Sequence, residues 1–163
     1  MVNDDDVSFE SPKLSAAERA RFNAEFREHK KVYEAKMTPD EKLKADLLQL
    51  RFLMERYIKS DHQYDDKMGF GYFLQEYIER IHKKNNEFAE EINVNPTEIS
   101  QFIHKRREPS SKIFVLLEVH SNKIFPALMW HKIFSKEKAM ELLDYAFKSD
   151  AEKQVKKRLS LSF

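Results

Sequence analysis

Histidine and carboxylate side chains are the groups of this chain that could hold a metal ion or act as general acids and bases. Asp61, His62, Asp65 and Asp66 combine the ligand types of a carboxylate–histidine metal site. No second histidine follows at a spacing that would complete a rigid site, and a solvated acidic loop explains the same residues. None of the six histidines forms a nucleophile–base pair or a metal-ligand motif. The sequence therefore predicts no enzyme, no cofactor and no metal site.

The composition excludes several other classes of protein. The chain of 163 residues has the length of one domain. Its 29 basic and 28 acidic side chains give a net charge of +1, so the protein as a whole has no strong positive potential that would attract nucleic acid or an anionic membrane. The absence of cysteine excludes a disulfide scaffold and thiolate chemistry. No apolar run approaches the ~18 residues of a membrane span, and the acidic N-terminus is unlike a signal peptide. We expect a cytoplasmic protein with no membrane contact.

The distribution of glycine, threonine and proline predicts an all-α fold. The chain has only two glycines and two threonines, whereas sheets need turn glycines and favour β-branched residues. The five prolines lie at or just before helix-like stretches, the positions where a helix tolerates proline. We therefore expect a series of helices that are separated by proline.

Helical periodicity and polar stretches divide the chain into five segments. They are a flexible N-terminus over 1–13, a helical N-terminal arm over 14–60, a linker over 61–69, the main helical domain over 70–145, and the end of a C-terminal helix with a tail over 146–163.

Two capping boxes predict the pair of long helices in the arm, one at Ser15 and one at Thr38. Their apolar stripes are Phe22, Phe26, His29, Tyr33 and Met37 in the first helix, and Leu43, Leu47, Leu50, Met54 and Tyr57 in the second. The pair could be a hairpin that packs on itself, or an arm that binds a partner or a second copy. Because isolated two-helix units are rarely stable, we expect the arm to pack against a second subunit or another protein. A layer across the main domain is the competing arrangement.

Residues 85–110 (NNEFAEEINVNPTEISQFIHKRREPS) contain the features of two short helices that cross closely. Ala89 is the small residue that the crossing requires. Asn93 tolerates the positive φ of a tight turn, and Val94 fills the corner between the helices. The second helix starts at Pro96, and its apolar side is formed by Ile99, Phe102 and Ile103.

These positions resemble the helix-turn-helix pattern of the Cro and phage-repressor (XRE) type. The first helix and turn correspond to residues 85–95, and the recognition helix to residues 96–104. The sequence departs from the pattern at Asn93 and Lys105, which replace glycines, and at Ile103, which replaces a glutamate. The resemblance implies that the domain over 70–145 is a five-helix repressor-like DNA-binding domain.

The order of the helices outside the motif is similar to the HigA-type antitoxin branch of that group. A helix over 70–83 precedes the motif, and a helix over 110–119 follows it. A short helix with the spacing Pro126-x-x-x-Trp130 comes next, and a separate last helix is predicted to start at Ser135. The resemblance implies a homodimeric transcriptional repressor that regulates its own promoter, with double-stranded DNA and a toxin protein as partners. It does not account for residues 14–59.

The resemblance also implies which side chains contact DNA. Gln101 can pair bidentately with adenine, Thr97 can contact thymine, and Glu98 can accept a hydrogen bond from cytosine. Basic side chains and the start of the first motif helix suit phosphates. The candidate contacts are Lys84, Asn85, Asn95, Thr97, Glu98, Gln101, His104, Lys105, Arg106 and Arg107.

Acidic residues near the motif keep an alternative open. Between Arg80 and Lys112 the chain carries seven lysines and arginines but also five glutamates, a local charge of only +2. A helical protein-interaction module that keeps the repressor-like fold without binding DNA would fit the same sequence.

Overall fold

The computed structural model of the protein describes residues 15–60 and 67–148, and these residues form an all-α structure, as predicted. The described part of the chain contains seven helices and no strand. They are α1 (Ala16–Lys36), α2 (Pro39–Lys59), α3 (Phe70–Arg80), α4 (Asn85–Glu91), α5 (Pro96–Ile103), α6 (Ser111–His120) and α7 (Ala127–Lys148). None of these helices is long and apolar enough to cross a membrane. The terminal segment 1–13 and the acidic cluster at 61–66 lie outside the described residues, as does almost all of the tail.

The first two helices begin at the predicted capping boxes. The hydroxyl of Ser15 accepts from the backbone N–H of Glu18, whose carboxylate accepts in turn from the N–H of Ser15. Thr38 and Glu41 make the same reciprocal pair at the start of α2. Each box satisfies backbone donors that the first turn of a helix leaves free.

Four helices end in a tight turn whose left-handed position, where glycine is the usual residue, is taken by another residue type. After α4, Asn93 takes a φ of 52°, its N–H donates to the carbonyl of Glu90, and the N–H of Val94 donates to that of Ala89. This pattern is the Schellman motif, which satisfies the last carbonyls of a helix through one left-handed residue. The left-handed residues are His82 after α3, Asn93 after α4, Lys105 after α5, and both Asn122 and Lys123 after α6.

Nine of the twenty buried apolar side chains in the described part of the chain are aromatic. Phe70 lies at the centre of this core, and its ring meets those of Phe102, Phe114 and Trp130 edge to face at centroid distances of 5.7–6.3 Å. Such edge-to-face pairs add to the free energy that burial of the rings contributes. The helices that carry these rings are thereby fixed around the N-terminus of α3.

The prediction of two helices after Pro126 is wrong, because α7 is continuous from Ala127 to Lys148. Ser135 resembles an N-cap in the sequence, but it lies exposed in the interior of the helix. The buried face continues through it, since Trp130, Ile133 and Glu137 are buried at spacings of three and four.

The second arm helix belongs to the core, which differs from the arm over 14–60 that the sequence predicts. Of the five residues in its predicted seam, Leu43 is exposed and four are buried in the same cluster as Phe70 and Trp130. The four buried residues are Leu47, Leu50, Met54 and Tyr57. The boundary between the two compact units of the chain falls between Lys42 and Leu43, inside α2.

Candidate nucleic-acid interface

The helices α4 and α5 form a closely packed pair. They begin at Asn85 and Pro96, as the sequence predicts, and α5 ends at Ile103, one residue before the predicted end. Ala89 of α4 and Ile99 of α5 are fully buried, and Phe102 is almost so. The left-handed conformation of Asn93 and the half-buried side chain of Val94 form the turn between them. The predicted roles of Ala89, Asn93 and Val94 therefore agree with the structure of this segment.

The outer side of α5 carries polar side chains at helical spacing. Thr97 and His104 are exposed and Gln101 is half-buried, so one row of the helix faces solvent while Ile99 and Phe102 face the core. Asn95 is the N-cap, and its Oδ1 accepts from the N–H of Thr97 at 2.8 Å. The carbonyl of the Asn95 side chain is thus used within the protein, and its NH₂ group is the part that could contact a ligand.

Glu98 and Arg107 form an ion pair across the end of α5. The Nη1 atom of Arg107 lies 2.7 Å from Oε1 of Glu98, and about half of the arginine side chain remains exposed. The pair neutralises the one carboxylate on the outer side of α5, which would otherwise repel phosphate. Arg107, one of the three basic residues that follow α5, is therefore already paired with a carboxylate of the protein.

Lys105 is held within the protein by a buried carboxylate. It takes the left-handed conformation after α5, with a φ of 56°, and its Nζ lies 2.7 Å from Oε1 of Glu137. Glu137 is only 3% exposed, and its Oε2 accepts from the backbone N–H of Phe70 at 2.9 Å. The structure therefore gives Lys105 a contact with α7, and a phosphate would have to compete with Glu137 for it.

The remaining predicted cations and Asn85 lie at the surface. Lys84 is the exposed N-cap of α4, and its N–H donates to Oε2 of Glu87. Asn85 is half-buried in the first turn of the same helix. Arg106 is exposed in the segment after α5. Of the basic cluster at 105–107, Arg106 has no ion pair with the described residues.

Two residues outside the predicted set of DNA contacts lie beside the N-terminus of α5. Ser110 and Lys112 line a groove of about 270 Å³ together with Asn95, Glu98 and Arg107. The ammonium group of Lys112 adds a cation to this side of the motif. Lys112 follows α5 by nine residues, and only the path of the chain after Pro109 brings it back to the helix.

A chain of hydrogen bonds connects the end of α4 with α3 and α6. Oε1 and Oε2 of Glu91 bond with Lys83 and with Nε2 of His120, and Nδ1 of the same imidazole lies 2.6 Å from the hydroxyl of Tyr77. The bonds from Lys83 and then His120 hold the pKa of Glu91 below its usual value. Burial, together with the charge of Glu91, raises the pKa of Tyr77. The four side chains stabilise the packing of α4.

Charged side chains of α7 hold the segment after α5. Lys138 pairs with Glu141 and with Glu108, and the hydrogen bond with Glu141, followed by that with Glu108, raises the pKa of Lys138. Glu137 and Lys138 thus contact residues 105 and 108 from a helix more than 20 positions away in the sequence. The end of α5 is fixed by α7.

No group of histidines and carboxylates in the described part of the chain is arranged to hold a metal ion. Comparison with protein families, with curated protein sequences and with solved structures finds no match for this chain.

Proposed function

We propose that the protein binds specific double-stranded DNA through α5 and acts as a transcriptional repressor. The observation that supports this proposal is the row of polar side chains formed by exposed Thr97, half-buried Gln101 and exposed His104 along a short helix whose other side is packed against α4. A helix presented in this way can enter the major groove, where amide and hydroxyl groups read base edges.

Cations beside α5 supply the contacts that such a helix needs with phosphates. Lys84, Arg106 and Lys112 are exposed, and Arg107 remains half-exposed in its ion pair with Glu98. Contacts with phosphates fix the position of the protein on the duplex and do not depend on sequence. Repression would follow from occlusion of the promoter, without catalysis.

We propose a two-fold dimer as the binding form, in the role of an antitoxin-type autoregulator. A single helix of this length reads only a few base pairs, so two copies at half-sites about 34 Å apart are needed for selectivity. The antitoxin role rests on the similarity to HigA-type proteins, and an adjacent gene for a small toxin would support it. The expected footprint is an inverted repeat.

A helical protein-interaction module is the alternative, and the ion pairs near α5 favour it. Glu98 and Glu137 engage Arg107 and Lys105, two cations that the DNA-binding proposal would use. The alternative expects the same fold with a binding surface for another protein.

Gln101→Ala tests the proposal in a salt-titrated gel shift on the DNA upstream of the gene. We expect a loss of about 1–3 kcal/mol in specific binding and little change in binding to unrelated DNA, because the amide reads a base edge. Gln49→Ala removes an exposed amide from α2 and is the matched control. An unchanged ratio of specific to non-specific binding would exclude Gln101 from base recognition, and no retarded complex at low salt would favour the protein-interaction alternative.

Arg106→Ala distinguishes a phosphate contact from a base contact. We expect weaker binding to every sequence and a salt slope that is smaller by about one unit, since one phosphate neutralisation is lost. Arg56→Ala, an exposed arginine of α2, is the control. The prediction fails if the two arginine variants have the same salt slope.

A further inference from the structure

The helix α1 carries a row of exposed aromatic side chains. It is 21 residues long and contains no buried residue. Phe22 and Phe26 are each 60% exposed and Tyr33 is 69% exposed, and all three lie on the same side of the helix. The rings of Phe22 and Phe26 lie against each other at a centroid distance of 6.4 Å. Large aromatic side chains in a row at this exposure are typical of an interaction surface.

The spacing of the stripe is that of a helix that pairs with another helix. Phe22, Phe26, His29 and Tyr33 follow one another at intervals of four, three and four residues. Hydrophobic residues at alternating intervals of three and four form the seam of a coiled coil. The stripe from Phe22 to Tyr33 spans less than two heptads, so the pairing that it supports is short. A helix of this kind gains stability by covering the seam with a second helix.

The charges beside the stripe determine which second helix fits. Glu18 and Glu25 lie along one edge of the stripe, while Asn23 and Lys30 lie along the other. In a parallel pair of identical helices, each edge meets the opposite edge of the other copy, so Glu25 faces the partner's Lys30. In an antiparallel pair the two acidic edges meet, and the carboxylates repel each other. The charge pattern therefore favours a second copy of α1 in the parallel orientation.

We propose that α1 is the dimerisation helix of the protein and pairs with α1 of a second copy as a short parallel coiled coil. Lys30 bonds with Glu34 of its own helix at 3.5 Å in the single chain, and in the dimer it turns to Glu25 of the partner subunit. The inference deepens the proposed function, because a two-fold dimer supplies the second α5 that an inverted repeat requires. The pairing itself needs no DNA.

Sedimentation equilibrium of the full chain without DNA tests the pairing. The wild type is expected to show a concentration-dependent dimer. Phe26→Glu places a charge in the seam, and we expect the dimer dissociation constant to rise about tenfold or more. Ala24→Glu adds the same side chain to the opposite side of α1 and is the matched control, with an unchanged constant.

The orientation is tested by charge reversal and by cross-linking. Glu25→Lys should weaken the dimer, and addition of Lys30→Glu to the same chain should restore it, since the two charges meet only between parallel copies. The chain has no cysteine, so Tyr33→Cys introduces a single thiol per subunit. Two such thiols can form a disulfide only when position 33 of one copy lies beside position 33 of the other, as in a parallel pair. In an antiparallel pair that is centred on Phe26, these positions would be about 20 Å apart.

Several results would overturn the inference. A monomeric wild type at all concentrations excludes the dimer, as does a dimer that Phe26→Glu leaves intact. A monomer whose melting temperature falls with Phe26→Glu but not with Ala24→Glu would show that the stripe packs on its own chain. A dimer that fails to bind DNA would refute the proposed function and leave the pairing of α1 intact.

Discussion

Glu137 connects three elements through one buried carboxylate. One oxygen accepts from the N–H of Phe70 at the start of α3, where Gly69 offers no side chain as a cap. The other oxygen pairs with Lys105 at the end of α5. A carboxylate at a helix N-terminus is stabilised by the helix dipole as well as by the hydrogen bond. The single side chain thus stabilises both the start of α3 and the left-handed turn of Lys105.

Glu137→Ala should destabilise the protein by about 3 kcal/mol, since it leaves a buried N–H and a partly buried ammonium group without their partner. Glu137→Gln keeps an acceptor for the N–H of Phe70 and loses the charge, so a smaller loss of about 1–2 kcal/mol is expected. Urea denaturation followed by circular dichroism measures both changes.

Glu141→Gln is the control for Glu137, because Glu141 is a half-exposed partner of Lys138 on the same helix. Its effect should stay within about 0.5 kcal/mol. Equal effects of the substitutions at Glu137 and Glu141 would contradict the role of Glu137.

The sequence predicted residues whose roles are local and missed those whose partners are distant. Asn93 was expected in a left-handed turn because few residue types adopt that conformation readily, and it has a φ of 52°. Glu137 was not singled out, since its partners Lys105 and Phe70 lie 32 and 67 positions away. A glutamate in a charged helix is normally solvated, and nothing local distinguishes Glu137 from Glu141.

The helices α3 and α5 approach each other closely at Gly71. A Cβ atom at this position would lie 2.5 Å from the carbonyl oxygen of Ile103 and 2.7 Å from that of Phe102. Both atoms belong to the backbone at the C-terminal end of α5, so they cannot move aside as a flexible side chain could. The absence of a side chain at Gly71 is what lets α3 pack against α5.

Gly71→Ala should therefore destabilise the protein although alanine is the better helix former. The gain in helix propensity is at most about 1 kcal/mol, and the overlap with two carbonyl groups costs about 1–3 kcal/mol. We expect a lower melting temperature for Gly71→Ala and almost none of this loss for Glu79→Ala, an exposed position of α3. A rise in melting temperature for Gly71→Ala would show that α3 and α5 do not approach closely in solution.

Helix starts could be predicted from the sequence more reliably than helix ends. The capping boxes at Ser15 and Thr38 and the proline at Pro96 all mark helix starts, because such signals are recognised from adjacent residues. Ser135 has the same local signal and no helix starts there, since the buried face of α7 overrides it. The turn at His82 was not predicted, because histidine is an uncommon left-handed residue and only the packing of α3 and α4 requires it.

At the scale of the whole molecule, the apolar stripes of α1 and α2 differ in burial. Their spacings are almost the same, so the sequence could not decide which stripe packs on the core. In the structure the seam of α2 is buried with Phe73 and Leu74, whereas α1 has no buried residue. The ion pair of Arg80 with Asp46 adds a contact from α3 to α2. Side chains distant in sequence determine this difference.

Truncation distinguishes the two helices. A chain that begins at Thr38 keeps α2 with its capping box and should melt cooperatively near the temperature of the full chain. A chain that begins at Asp65 loses four buried apolar side chains of α2, each of which contributes about 1.5–3 kcal/mol. The total stability of a domain is only about 5–15 kcal/mol, so this shorter chain should show no cooperative transition. A separate arm over 14–60, as the sequence predicts, would instead leave the chain from Asp65 folded.

A truncated chain can lose its cooperative transition because it aggregates, so point substitutions in the full chain are the second test of whether α2 belongs to the core. Leu50 is fully buried in the core, and Leu50→Ala should cost about 2–5 kcal/mol through lost burial and the cavity left behind. Phe52 lies two positions away on α2 and is 68% exposed, so Phe52→Ala removes a larger side chain and should cost far less. If Phe52→Ala were the more damaging change, or if the chain from Asp65 melted like the full protein, α2 would lie outside the core.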